Sequence, residues 1–156
     1  MKHLYWTPLL CAMLLLSVKA AHDQTAADIE KLLDVEEITC SQAAYFVLAA
    51  VMENPPPNPE AAFVLAHENG WLPAKAESGG GITLGGLSLL MMKAFNQQLA
   101  QASGLMYRLF PGSRYAYRAM ASQGFIEGRA YPGQNVSGGQ FLRILERVIT
   151  GEGTKQ

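Results

Sequence analysis

Two stretches of this chain recur 54 residues apart, and that recurrence restricts the possible folds more than any other feature. Gly70-Trp71-Leu72 is followed, twelve residues after its glycine, by Ile82-Thr83. Gly124-Phe125-Ile126 is followed at the same spacing by Val136-Ser137. Neighbours at this offset match in kind: Phe63 with Tyr117, Lys75 with Arg129, Leu87 with Phe141, Leu90 with Ile144, Met91 with Leu145, Lys93 with Arg147. A unit of this length holds one supersecondary element with too little apolar surface to fold alone, so its copies must stack.

Each unit decodes into a helix, a loop and a second helix. The first helix begins at Asn58-Pro59-Glu60, an N-cap followed by proline at the first helical position, and its counterpart begins near Ser113-Arg114. Gly70 and Gly124 end these helices, since glycine readily takes the left-handed conformation found there. Trp71-Leu72 and Phe125-Ile126 then turn inward, with Trp71 and Phe125 as equivalent core anchors and Tyr117 as a further core residue. The start of the second helix occurs three times. Ile38-Thr39-x-x-Gln42 and Val136-Ser137-x-x-Gln140 read as capping boxes, while Ile82-Thr83 keeps the cap with Gly86 in place of glutamine. Ile82–Leu87 and Val136–Phe141 are hydrophobic staples, and Ile38–Ala43 is a weak one. The second helices are expected over 40–53, 84–100 and 138–150.

The first unit is truncated. Residues 25–33 can form its leading helix, but Asp34-Val35-Glu36-Glu37 replaces the glycine, the aromatic residue and the long loop. The proline-rich stretch Pro55-Pro56-Pro57-Asn58-Pro59 separates the first unit from the second, and Ser103-Gly104 breaks the chain before the third. The expected architecture is all-α, with about six helices in stacked helix–loop–helix repeats. A segment over 21–33 precedes a repeat domain over 34–150, divided into units at 34–53, 58–100 and 105–150, and a tail covers 151–156.

Residues 1–20 read as a signal peptide. Lys2 and His3 precede an apolar stretch from Leu9 to Leu16, and Val18-Lys19-Ala20 suits signal-peptidase cleavage. A retained anchor is the alternative, but the stretch is shorter than the roughly twenty residues a membrane helix needs. Lipidation of Cys11 is opposed by Pro8 and by the apolar run that continues beyond the cysteine. Cleavage leaves Cys40 as the only thiol and 10 Lys+Arg against 13 Asp+Glu. That charge is split: residues 21–77 carry 10 acids and 2 bases, residues 78–156 carry 3 acids and 8 bases. With only 16% charged residues and 49% apolar ones, the chain is neither disordered nor a polybasic nucleic-acid binder.

The segments Ile38-Thr39-Cys40-Ser41-Gln42, Ile82-Thr83-Leu84-Gly85-Gly86 and Val136-Ser137-Gly138-Gly139-Gln140, each leading into a helix, resemble the S-layer homology (SLH) family. The resemblance spans roughly residues 34–149. In that family the second helix opens on an Ile-Thr-Arg-Ala-Glu-like segment whose arginine helps bind an anionic cell-wall polysaccharide. Here Cys40, Leu84 and Gly138 stand at the arginine's position. The resemblance therefore implies stacked helical repeats and an exported, envelope-associated role in the periplasm or at the cell surface. It does not carry the glycan ligand with it.

The residues offer little catalytic chemistry. His67 and Glu68 are adjacent on a helix and point apart. Cys40 lies in a first helical turn with no basic neighbour in sequence and reads as a small filler. Glu36 and Glu37 are solvated beside a helix start. Gly79-Gly80-Gly81 and Gly85-Gly86 lack the lysine and strand of a phosphate loop and suit a flexible loop and a close helix contact. A non-catalytic module without cofactor or metal is expected. An envelope enzyme acting on wall glycan is the alternative, and it would require Glu68 paired with Glu77 or Glu127. The candidate partner site is Tyr107, Arg108, Arg114, Tyr115, Arg118, Arg129 and Tyr131. Guanidinium forks suit carboxylate or phosphate groups, and tyrosine rings suit sugar faces or apolar patches. These arginines could instead pair with the acidic first half. The expected partner is an envelope protein or an anionic wall polymer, with no nucleic acid and no spanning helix after cleavage. Export predicts that mass spectrometry of the native protein finds a chain beginning at Ala21; an intact chain that keeps Met1 in the envelope would refute it.

Overall fold

The computed structural model describes residues 29–95, 99, 105–128 and 130–151. The expected signal peptide, Arg129 and most of the 151–156 tail lie outside these residues. The chain divides into two compact units, residues 1–34 and 35–156; of the first, the described residues 29–33 are helical. The second contains α1 (Cys40–Val51), α2 (Pro59–Glu68), α3 (Leu84–Ala94), α4 (Leu105–Leu109), α5 (Ser113–Ser122) and α6 (Gly138–Thr150). The described residues are all-α: they hold no strand, only isolated antiparallel bridges between Thr39 and Gly81 and between Thr83 and Asn135.

Local capping sets where the helices start. Thr39 and Gln42 complete a reciprocal capping box on α1, Asn58 accepts the Ala61 amide with Pro59 at the first helical position of α2, and the Thr83 hydroxyl accepts the Gly86 amide on α3. At α6 only half of the expected box forms. Ser137 accepts the Gln140 amide at 3.3 Å, but the Gln140 side chain lines a surface pocket instead of returning to the Ser137 N–H. α1 stops earlier than the sequence suggests, at Val51, where Met52 turns extended. α3 runs to Ala94 with Phe95 as its C-cap; beyond Phe95, only Leu99 of the expected 84–100 lies among the described residues, and it is helical, its amide donating to the Phe95 carbonyl at 2.9 Å. α4 is a short addition to the helix–loop–helix pattern.

The ends of α2 and α5 share one hydrogen-bond scheme. Gly70 and Gly124 have φ of 67° and 78°. Trp71 donates to the Ala66 carbonyl at 2.9 Å and Phe125 to the Met120 carbonyl at 3.1 Å. The amides of the two glycines reach the His67 and Ala121 carbonyls. These six-to-one bonds across a left-handed residue close both helices in Schellman fashion. The packing around the two helices also corresponds. α2 packs on α1 and α5 packs on α3, in each case through small or flexible side chains 54 residues apart: Ala62 and Ala66, Ala116 and Met120. The aromatic residues after the glycines differ. Phe125 is 6% exposed, but Trp71 is only half-buried, and Leu72 beside it (4% exposed) fills the interior. Tyr117, expected in the core, is also half-buried, because its hydroxyl reaches out to the Ala130 carbonyl at 2.5 Å.

The three segments that precede α1, α3 and α6 meet at the centre of this unit. The Ile82 amide donates to the Ile38 carbonyl (2.9 Å), Val136 to Ile82 (3.0 Å) and Ile38 to Val136 (2.9 Å), closing a ring of three backbone hydrogen bonds. All three side chains are at most 1% exposed. A second set of bonds surrounds the ring: Cys40 donates to the Gly80 carbonyl, Leu84 to Gln134 and Gly138 to Val35. The first two acceptors lie two residues before their ring residue, whereas Val35 lies three before Ile38. The segment before Ile38 therefore completes the ring with a shift of one residue. Above the ring, Asn135 donates to Glu37 at 2.9 Å across Gly81, where a Cβ would come within 3.2 Å of the Glu37 carboxylate.

α3 is buried on all sides from Leu84 to Met92, as an apolar helix must be at the centre of a small domain. Ser88 satisfies its hydroxyl on the Leu84 carbonyl at 2.6 Å. Gly85 has a packing reason: its Cβ would stand 3.0 Å from the Pro132 carbonyl oxygen, which accepts the Gly85 amide at 2.7 Å. α6 turns Phe141, Ile144, Leu145 and Val148 inward at helical spacing. Replacing a buried Ile or Phe by Ala commonly costs about 2–5 kcal/mol. Ile82→Ala and Phe125→Ala should fall in that range by urea denaturation, and Trp71→Ala should cost clearly less than Phe125→Ala.

Candidate functional site

The residues expected to bind a partner lie on the third unit, around α4, α5 and the loop before α6. Arg114 and Arg118 stand one turn apart on α5, and both are exposed. Tyr115 between them is half-buried, with its ring 6.0 Å from that of Phe110 at the end of α4. Arg108 is exposed on α4. Tyr107 faces inward: its hydroxyl is buried without a hydrogen-bond partner among the described residues, and burial pushes its pKa up. Tyr131 is 64% exposed. Its loop is fixed on both sides, by the Tyr117 hydroxyl on Ala130 and by the Gly85 amide on Pro132, so Tyr131 projects near α5. Arg129 lies outside the described residues.

Arg108, Arg114 and Arg118 form no ion pair among the described residues, and pairing with the acidic first half is not seen there. Beside them are three apolar side chains that sequence reasoning missed: Met106, Leu109 and Phe110, exposed by 54%, 60% and 58%. Their i, i+3, i+4 spacing between Gly104 and Gly112 is the signal that could have marked them. A cluster of large apolar side chains this exposed, bordered by unpaired guanidinium groups, is the usual character of a contact surface.

Two concavities lie elsewhere. A groove of about 320 Å³ runs between the start of α1 and the loop before α3, lined by Cys40, Pro73, Lys75, Glu77, Ile82 and Thr83. At its floor, burial raises the Cys40 thiol pKa and keeps the group neutral. Cys40, Leu84 and Gly138, at the positions of the SLH arginine, are all buried. Among the described residues lining the groove, the basic one is the exposed Lys75. A polar pocket of about 260 Å³ is lined by Phe125, Glu127, Gln140, Arg143 and Arg147, with Arg147 on Glu127 at 2.6 Å. Glu77 and Glu127, the alternative partners of Glu68 in an enzyme, thus line different cavities. His67 is exposed and stacks on Phe63, with ring centroids 5.5 Å apart. No group of three or more His, Cys, Asp or Glu among the described residues could hold a metal ion. No helix among them is long and apolar enough to cross a membrane. No family model, no curated protein and no solved structure matches this chain.

Proposed function

We propose that this chain is an exported, non-catalytic binding module of the bacterial cell envelope, built from three degenerate SLH-like units. It tethers or organises a partner through the arginine- and tyrosine-bearing face of its third unit. The observation that carries this reading is the exposed trio Arg108, Arg114 and Arg118, without an ion pair among the described residues, beside exposed Met106, Leu109 and Phe110. Support for the repeat architecture comes from the closed ring of Ile38, Ile82 and Val136 and from the matching ends of α2 and α5.

Two ligand classes fit a basic face: an anionic wall polymer and the acidic surface of a protein. The apolar side chains favour a protein, since burying them adds to affinity only against another apolar surface. Cys40, Leu84 and Gly138 weigh the same way, because these buried residues stand where SLH modules place the arginine that holds glycan. The test compares retention of the native protein on purified wall sacculus and on immobilised envelope proteins, at low and physiological salt. Arg114→Glu with Arg118→Glu should leave the melting temperature nearly unchanged, since exposed charges contribute little to folding. It should abolish retention, which in the unmutated protein should weaken with salt. Unchanged retention with unchanged stability would refute the assignment of this face.

A further inference from the structure

α2 and α5 are held in the same way, so the same side of each faces outward. Ala62 and Ala66 on α2, and Ala116 and Met120 on α5, are the buried residues at matching positions. On the outward side the charges are opposite. Glu60 of α2 corresponds to Arg114 of α5, and Val64 corresponds to Arg118. Glu60, Val64 and Glu68 follow one another at four-residue spacing and form a stripe on α2. Both glutamates are exposed, and Val64 between them is 46% exposed. Glu60 accepts a hydrogen bond from Ser78, while Glu68 has no partner among the described residues. This acidic stripe with an apolar centre complements the basic α5 face and its apolar neighbours in charge and in character.

We infer that the protein partner of the Arg/Tyr face is a second copy of this chain, whose α2 stripe docks on it. The inference rests on the reading of that face as a partner surface. The two faces are different patches of one molecule, so the contact is heterologous: each copy offers one face to the copy before it and the other to the copy after it. A single contact of this kind leaves one unused basic face and one unused acidic stripe, so copies add in a row instead of stopping at a two-fold dimer. The attraction is between exposed charges and therefore falls as salt shortens their reach. The Glu60/Glu68 stripe of α2 and the Arg114/Arg118 face of α5 are then the two ends of a self-recognition device.

Sedimentation of the purified protein at rising concentration provides the test. At low ionic strength its average mass should grow past that of a dimer, and at about 0.5 M salt it should return to the monomer. Two neutralised variants separate the faces: Arg114→Gln with Arg118→Gln, and Glu60→Gln with Glu68→Gln. Glutamine is isosteric with glutamate and close to both glutamate and arginine in helix propensity, and circular dichroism melts check that both variants fold. Each variant alone should stay monomeric. Mixed one to one, they should form a dimer and nothing larger, because each then supplies the one face the other lacks. A wild-type protein that stays monomeric at every concentration and salt, or self-association that survives neutralisation of either face, would overturn the inference. A monomer still retained on sacculus or envelope proteins through Arg114 and Arg118 would overturn self-association alone and leave the binding face standing.

Discussion

Three backbone hydrogen bonds at the centre of residues 35–156 tie together segments that lie far apart along the chain, Ile38 and Val136 the farthest. Ile38, Ile82 and Val136 each donate to one ring neighbour and accept from the other, with their side chains sealed from water. A buried amide left unpaired costs about 1–3 kcal/mol, so opening one member of the ring exposes or orphans groups on its neighbours as well. The helix starts hang on this ring. Thr39, Thr83 and Ser137 follow its members directly, and their hydroxyls cap α1, α3 and α6. Position at the ring thus fixes both where each helix begins and which way it leaves the centre.

From that centre the packing spreads outward in layers. α3 is enclosed on every side, α1 and α6 each bury one face, and α2 and α5 lie outermost, touching the interior through alanines and Met120. Small side chains at those contacts let the outer helices approach closely and leave their other sides free to carry charge. Glu60 and Glu68 on one, and Arg114 and Arg118 on the other, are therefore changeable without disturbing the core. A scaffold of this kind separates folding, carried by the ring and α3, from recognition, carried by the outer helices.

Much of the fold was legible in the sequence because it is governed by bonds between residues three or four apart. Asn58-Pro59, Thr39-x-x-Gln42 and the glycines at 70, 124 and 151 marked helix ends by local chemistry, and α6 runs over the expected 138–150. The periodic apolar residues of α6 likewise identified its inner face. The basic face was half-visible: Arg114 and Arg118 follow from spacing, but whether an acid pairs with them depends on where the acidic half folds.

The sequence by itself determined the all-α class, the three capped helix starts, the helix-ending glycines and the uneven distribution of charge. Only the tertiary structure decided which carbonyl each ring amide meets, because those partners lie far apart along the chain and no local pattern names them. It also decided that Phe125 is buried while Trp71, at the same position of its unit, is half-exposed beside a buried Leu72. Gln140 was diverted from its capping box to the pocket beside Glu127, an outcome that short-range spacing could not show. Met106, Leu109 and Phe110 had the spacing of an ordinary buried face. They are exposed because no element among the described residues covers them, and what covers a face is settled by the whole fold and not by the residues on it.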